Sequence, residues 1–151
     1  MANNIPAVAA EGTLLQIGNM ASPEAWQSVS NVSDITGPSM AATEVDVTSH
    51  TSTTVPWRQK IVTLLDIGTV VAKIFWNPSD TTQNNAPSSF VGGLMYIFIN
   101  RVKVPVRLLH VDGTNDSFYA YISKISKTAP VAGVYGMDVT FTATDNPINM
   151  A

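Results

Sequence analysis

The chain has 151 residues, of which 45% are hydrophobic and 13% are charged, and its net charge is −3. A domain of this length buries a core without disulfides or metals, and the absence of cysteine excludes thiolate chemistry and Cys-ligated zinc. The eight basic residues are scattered, which excludes the cationic cluster that neutralises DNA phosphates.

Short strand patterns open the chain. Residues 13–18 are a brief apolar run and residues 31–36 alternate imperfectly, and each pattern stops at a glycine. Between them, Ser22 as an N-cap followed by Pro23 predicts one turn of helix over residues 21–26.

Residues 43–48 alternate with the two-residue period of a strand that has one buried face. In residues 43–48, Val45 and Val47 point one way and acidic or hydroxyl side chains point the other way. This alternation predicts a half-buried strand. Residues 49–56 follow with no core-facing period, and they read as a long hairpin tip that is either a mobile surface loop or an assembly contact.

Two more runs, residues 59–65 and 69–77, are separated by Asp66-Ile67-Gly68 and predict a hairpin. A turn-rich loop then covers residues 77–87.

A nearly continuous apolar stretch comes next. Ser88 or Ser89 is a candidate N-cap for a helix that runs to about Ile99, although Gly92-Gly93 interrupts it. The stretch is half as long as the ~20 residues of a membrane-spanning helix, so no membrane insertion is predicted.

The clearest strands close the chain. Residues 103–110 and 117–126 flank the loop Asp112-Gly113-Thr114-Asn115-Asp116, which predicts a hairpin. Residues 137–144 alternate strictly, and their predicted core face consists of Met137, Val139, Phe141 and Ala143.

Seven or eight strands with one flanking helix predict a mainly β fold, a closed or nearly closed β-sandwich or barrel. Exposed sheet edges are templates for pairing with another chain. Lysines on edge strands discourage such pairing, and the chain has only five lysines. The edges are therefore expected to be covered by neighbouring subunits in an assembly.

Catalytic and metal-binding patterns are weak. The two histidines, His50 and His110, lie in a loop and at a strand end, and neither belongs to a recognisable catalytic motif. Asp112 and Asp116 resemble part of a calcium loop without its final Glu, and turn chemistry explains them better. We expect no enzyme activity, metal or cofactor.

Aromatic residues offer one alternative function. Trp26, Trp57 and Trp76 could stack sugars, as in a carbohydrate-binding or adhesive β-sandwich, although a tryptophan among strand residues is more often in the core. Arg58 beside Trp57 suits a contact between subunits, since both residue types are enriched at interface hot spots.

An ordered set of motifs resembles a known family. The motifs are G-T-L-L-Q-I-G (12–18), V-S-N-V-S-D-I-T-G-P-S (29–39), T-E-V-D-V-T-S-H-T-S (43–52), W-R-Q-K (57–60), L-L-D-I-G (64–68) and G-M-D-V-T-F-T-A-T-D-N-P (136–147). In this order they are similar to the major tail tube proteins of long-tailed, non-contractile bacteriophages. Where the family often has G-L-K-D-G-G, this chain has T-L-L-D-I-G.

The resemblance implies a tail-tube-type β-sandwich or barrel with one flanking helix and a long hairpin loop. It implies a single domain over residues 1–151, with an N-terminal arm at 1–10 and a C-terminal tail at 148–151. The subunits are expected to form stacked, hexameric rings that conduct DNA out of the virion without binding it specifically. The chain would be made in the cytoplasm of the bacterial host and located in the phage tail.

The resemblance also implies site residues and partners. The long hairpin loop is expected to reach the adjoining ring, and it comprises Val47, Thr48, Ser49, His50, Thr51, Ser52, Thr53, Thr54, Val55, Pro56, Trp57 and Arg58. Asp112, Asp116 and Asp138 are candidates for a weakly acidic channel wall, because a cationic wall would retain DNA. Besides copies of itself, the expected partners are tail terminator, tape measure and distal tail proteins. The alternative within the same class is the inner tube of a contractile tail or of a type VI-like secretion system.

Overall fold

The computed structural model describes residues 11–20, 24–49, 57–88 and 90–151. These residues contain nine strands and one short helix. In chain order they are β1 (Leu14–Gly18), β2 (Trp26–Ser28), β3 (Val32–Thr36), β4 (Ala41–Asp46), β5 (Lys60–Asp66), β6 (Thr69–Phe75), α1 (Leu94–Ile99), β7 (Val104–Leu109), β8 (Asn115–Thr128) and β9 (Gly136–Asn149).

Seven strands form one antiparallel sheet in the order β2-β1-β7-β8-β9-β6-β3, and β4 pairs with β5 in a separate two-stranded ribbon. Although β2 and β3 lie at opposite ends of the seven-stranded sheet, only residues 29–31 join them. So short a link spans at most ~14 Å. The sheet therefore curls until its two ends nearly meet, and the mainly β, nearly closed barrel is confirmed.

The side chains that the alternation in residues 137–144 predicts to be buried lie in the barrel interior. Met137, Val139 and Phe141 are at most 1% exposed, and Ala143 packs against the same cluster. Leu94 and Ile97 of α1 are equally buried there. Burial of each large apolar side chain contributes about 1.5–3 kcal/mol, so the barrel is stabilised by its own residues.

The helix is shorter than the sequence predicts. It begins at Leu94, whereas Ser88 or Ser89 was expected to cap it; the hydroxyl of Ser88 instead accepts a hydrogen bond from the amide of Phe90, and Ser89 lies outside the described residues. The physical reason is a close approach of two backbone segments. A Cβ on Gly93 would lie 2.0 Å from the carbonyl oxygen of Asn84, so the chain before Leu94 is extended to pack against the preceding loop.

The expected hairpin around residues 66–68 is wrong, because β5 and β6 belong to different sheets. The turn itself forms: the Asp66 side chain accepts a hydrogen bond of 2.9 Å from the amide of Gly68. It redirects the chain from the ribbon into the barrel and does not fold β5 back onto β6.

Two smaller expectations at other positions also need correction. Trp26 lies in β2 and not in a helical turn, while Ser22 and Pro23 lie outside the described residues. The last strand continues to Asn149, whose backbone pairs with Ser117, so the segment from 148 is not a separate tail.

The turn-rich loop of residues 77–87 is anchored to the link between β2 and β3. The fully buried Gln83 side chain donates a 2.9 Å hydrogen bond to the carbonyl of Ser30 and accepts another of 2.9 Å from the amide of Asn77. The hydroxyl of Thr82 accepts a hydrogen bond from the amide of Ser30. These bonds close one end of the barrel.

Candidate functional site

The ribbon of β4 and β5 is the most exposed apolar part of the described chain that has regular structure. Every residue of both strands is exposed, and Leu64 and Leu65 are exposed by 70% and 82%. An isolated two-stranded ribbon is only marginally stable in water, and a large exposed apolar patch marks an interaction surface. The half-buried strand expected at residues 43–48 is therefore wrong about burial, because no described part of the chain covers this face.

Strand alternation divides the ribbon into two different faces. Val45 pairs directly with Ile61, and alternation along β4 places Thr43 and Val47 on that side. The register shifts between Ala42 and Glu44, which interrupts the alternation of β5 and pairs Leu65 with Ala42 on the other side. We call the first side the uncharged face, and it consists of Thr43, Val45, Val47 and Ile61.

The opposite face carries the charges, and it consists of Ala42, Glu44, Asp46, Lys60, Val62 and Leu65. The Nζ of Lys60 lies 3.5 Å from Glu44 Oε2, and a guanidinium nitrogen of Arg58 lies 3.8 Å from Asp46 Oδ2. Hydrogen bonds from the side chain and the amide of Thr48 lower the pKa of Asp46, helped by the two cations. This face is hydrated and internally paired, so the uncharged face is the one that is easier to desolvate.

The predicted loop continues the ribbon. The amide of Val47 donates a 2.8 Å hydrogen bond to the carbonyl of Gln59, whose own amide donates one of 2.8 Å to the hydroxyl of Thr48. Trp57 is 76% exposed at the end of this ladder. Thr48, Ser49 and Arg58 are also described, whereas residues 50–56, from His50 to Pro56, lie outside the described residues.

Four apolar residues of β5 belong to this surface, whereas the sequence pattern predicts only that their run is one strand of a hairpin: Ile61, Val62, Leu64 and Leu65. Their run contains apolar residues on both faces. β9, in contrast, alternates cleanly between apolar and polar residues. Apolar residues on both faces of β5 are a sequence signal that both of its faces are buried in contacts.

The ribbon is held firmly where it leaves the barrel. Gly68 has a positive φ of 83°, and a Cβ there would lie 2.1 Å from the carbonyl oxygen of Ser39. The carbonyl of Gly68 accepts a 3.0 Å hydrogen bond from the amide of Ala143 in β9. The base of the ribbon therefore packs on the barrel, although its strands do not.

The tryptophans are not all core residues. Trp26 packs beneath the guanidinium of Arg107, 4.5 Å from the ring centre, and Trp76 lies 4.0 Å beneath the ammonium of Lys127. Arg107 also donates a 2.7 Å hydrogen bond to Gln16, and its partial burial lowers its pKa. Trp57 was expected to be in the core more often than not, and it is exposed.

The three candidate acidic residues occupy two separate places. Asp112 and Asp116 flank the turn between β7 and β8, and Asp138 lies on the outer face of β9, in register with Lys73. Hydrogen bonds from the hydroxyl and the amide of Thr114 lower the pKa of Asp112, as expected for turn chemistry. Asp116 contacts His110 at 3.3 Å.

Neither a metal centre nor a membrane anchor is indicated in the part of the chain that the structure describes. Within it, His, Asp and Glu side chains form no group able to hold a metal ion. Its helix is too short to cross a bilayer.

Comparison with known proteins decides the family. The sequence model of the lambda phage tail tube protein (TTP) family matches residues 10–150. The chain belongs to this family. It is thus a structural tail tube protein, and its place is the virion. The family assignment favours the tube subunit over the carbohydrate-binding module that the tryptophans left open. No curated protein sequence matches the chain.

Solved structures with low identity share the fold of this tail tube protein. A chain in the virion of a native gene transfer agent (GTA) particle superposes with a TM-score of 0.72 at 14% identity, covering 96% of this chain and 100% of that one. The tail of an empty GTA particle, computed with helical refinement and C6 symmetry, gives the same values. The 6-fold symmetrised baseplate of the anti-feeding prophage (AFP) gives a TM-score of 0.54 at 12% identity over 95% of both chains.

Proposed function

We propose that this tail tube protein polymerises with copies of itself into stacked hexameric rings around a DNA channel, and that its ribbon contacts the adjoining ring. The observation that carries the proposal is the complete exposure of an apolar two-stranded ribbon on an otherwise well-packed barrel. The C6 symmetry of the GTA tail with the same fold supports six subunits in a ring.

The energetics of the ribbon favour coverage by another protein molecule. Ile61, Leu64 and Leu65 are each at least half exposed, and burial of such side chains contributes about 1.5–3 kcal/mol each. The uncharged face offers this gain without the desolvation of a charge. We propose that the loop residues Val47–Arg58 belong to the same contact, because the described ends of this loop continue the ladder of the ribbon.

The channel and further partners complete the proposal. In the described part of the chain β2 and β3 are the end strands of the seven-stranded sheet. We propose that their outer edges pair with a neighbour in the ring, in a contact between different patches that closes by rotation. We propose that Asp112, Asp116 or Asp138 faces the lumen, that DNA passes without specific binding, and that terminator, tape measure and distal tail proteins cap the tube. No catalytic role is assigned.

The test is assembly of purified protein, followed by electron microscopy and sedimentation. Wild-type protein is expected to form rings or tubes. Ile61→Asp places a charge on the uncharged face and is expected to raise the concentration needed for assembly by at least about 30-fold, the equivalent of ~2 kcal/mol per contact. Val62→Asp, on the face that already carries charges, is expected to have a smaller effect.

Val111→Asp is the matched control, because Val111 is 57% exposed in the turn between β7 and β8. It is expected to assemble as the wild type does. Wild-type protein that stays monomeric at all concentrations contradicts the proposal, and so does an Ile61→Asp variant that assembles normally.

A further inference from the structure

A second exposed apolar surface lies at the connection between β8 and β9. Residues 129–135, which we call the tip, contain no charged side chain. Val131 is fully exposed and Val134 is 64% exposed. Phe75, at the end of β6, is half exposed beside the tip, because its backbone pairs with Gly136. The tip is an apolar surface that the barrel does not cover.

The base of the tip is fixed in place. The amide of Trp76 donates a 2.8 Å hydrogen bond to the carbonyl of Tyr135, and Lys127 covers the Trp76 ring from above. Thr128 and Gly136 close the hairpin as a backbone pair. A surface that is ordered before binding loses little conformational entropy on contact, so the tip is suited to docking.

The tip and the ribbon lie at opposite ends of the barrel. The ribbon joins β6 at Thr69, whose partner in β9 is Thr142, and the tip follows Phe75 and Gly136 at the other end of the same strand pair. Six residue steps of a strand separate these ends by ~20 Å. Both ribbon strands are exposed along their whole length, so the ribbon does not cover the tip of its own molecule.

We propose that the tip receives the uncharged face of the ribbon from a second copy of this chain in the adjoining ring. The inference rests on the proposed function and names the receiving surface for the ribbon. Because the two surfaces are different, each copy uses its ribbon on one neighbour and its tip on another. Such a head-to-tail contact continues from ring to ring and leaves unused surfaces only at the two ends of a tube.

Charge supports this pairing over a contact between two ribbons or two tips. The uncharged face and the tip meet without burying a charge, which avoids a desolvation cost. Residues 41–66 carry three carboxylates and two basic side chains, a net charge of −1, whereas residues 124–138 carry Lys124, Lys127 and Asp138, a net charge of +1. The surroundings of the two surfaces therefore attract each other and repel their own kind.

Cysteine cross-linking tests the contact, because the chain has no cysteine of its own. Ile61→Cys and Val131→Cys are made as separate proteins with tags of different size, mixed, assembled and treated with a short bis-maleimide. We expect a cross-linked heterodimer in tubes and none in isolated rings or dissociated subunits. Val111→Cys replaces Val131→Cys as the matched control and is expected not to cross-link with Ile61→Cys.

The possible outcomes distinguish a wrong ribbon–tip contact from a wrong assembly proposal. Tubes in which Ile61→Cys links no better to Val131→Cys than to Val111→Cys overturn the tip as receiver and leave the tube intact. Tubes that yield only homodimers of either variant overturn it as well, in favour of ribbon–ribbon or tip–tip contacts. A wild-type chain that forms neither rings nor tubes overturns both proposals.

As a second measurement, Val131→Asp is expected to stop tube growth while isolated rings still form, and normal tubes would contradict the contact.

Discussion

The barrel and the ribbon are built from similar strand patterns but differ completely in burial. In β9, Met137, Val139 and Phe141 alternate with polar residues and are at most 1% exposed. In the ribbon, Val45 and Ile61 lie opposite each other on one face with similar regularity, and both are exposed. Alternation assigns side chains to a face, but it does not say which molecule covers that face. In a protein that assembles, the covering molecule can be a neighbour.

The largest expected difference between the two regions is in the stability of the unassembled subunit. Phe141→Ala empties part of the barrel core and is expected to lower the free energy of unfolding by about 3–5 kcal/mol. Leu65→Ala removes a side chain that is 82% exposed and is expected to change it by less than about 0.5 kcal/mol. Chemical denaturation of protein kept below its assembly concentration measures both. Equal losses would mean that the ribbon is packed in the monomer.

The barrel was predictable from sequence because its strands are covered by residues of the same chain. The core face of β9 and the hairpin of β7 and β8 follow from alternation and from the turn at residues 112–116. The partner of β5 was not predictable in this way. Asp66 and Gly68 make a good turn, and local turn chemistry does not reveal that the chain changes sheets there.

The site was predictable only in part, and for a related reason. Family resemblance led to the loop from Val47 to Arg58, and the structure adds that the exposed surface continues along β5 to Leu65. The helix start was missed because Gly93 is needed for a contact with Asn84, which lies outside the pattern of the helix itself. Contacts between distant segments override local signals in each case.

The junction between ribbon and barrel provides the second comparison. Gly68→Ala introduces a Cβ that would lie 2.1 Å from a backbone oxygen at a residue with positive φ. Gly113→Ala has a similar positive φ but nothing within 4 Å of its Cβ. We expect losses in unfolding free energy of about 2–4 kcal/mol for Gly68→Ala and about 1 kcal/mol for Gly113→Ala, because only the first adds a steric clash to backbone strain. Thermal and chemical denaturation of both variants measure the difference, and equal losses would show that the ribbon base is loosely packed.

The smallest expected effect compares one carboxylate of the barrel with one of the ribbon. Partial burial raises the pKa of Asp80, but hydrogen bonds from the hydroxyl and the amide of Thr82 and from the Ser30 side chain outweigh it, so the pKa lies below its usual range. A lowered folded-state pKa means that the ionised Asp80 stabilises the fold above ~pH 4 and that this contribution is lost as the pH falls through the folded value. Because Asp80 is partly exposed, we expect Asp80→Asn to cost only about 1 kcal/mol at pH 7, with the gap from wild type closing below pH 4. Asp46 has a lowered pKa for a similar reason but lies on the exposed ribbon, where solvent weakens such interactions, so Asp46→Asn is expected to show the same pH dependence with a smaller loss than Asp80→Asn. Urea denaturation at pH 7 and pH 3 tests both variants. A loss in Asp46→Asn as large as that in Asp80→Asn would mean that the ribbon is as firmly packed as the barrel, and the contrast between the two regions would then fail.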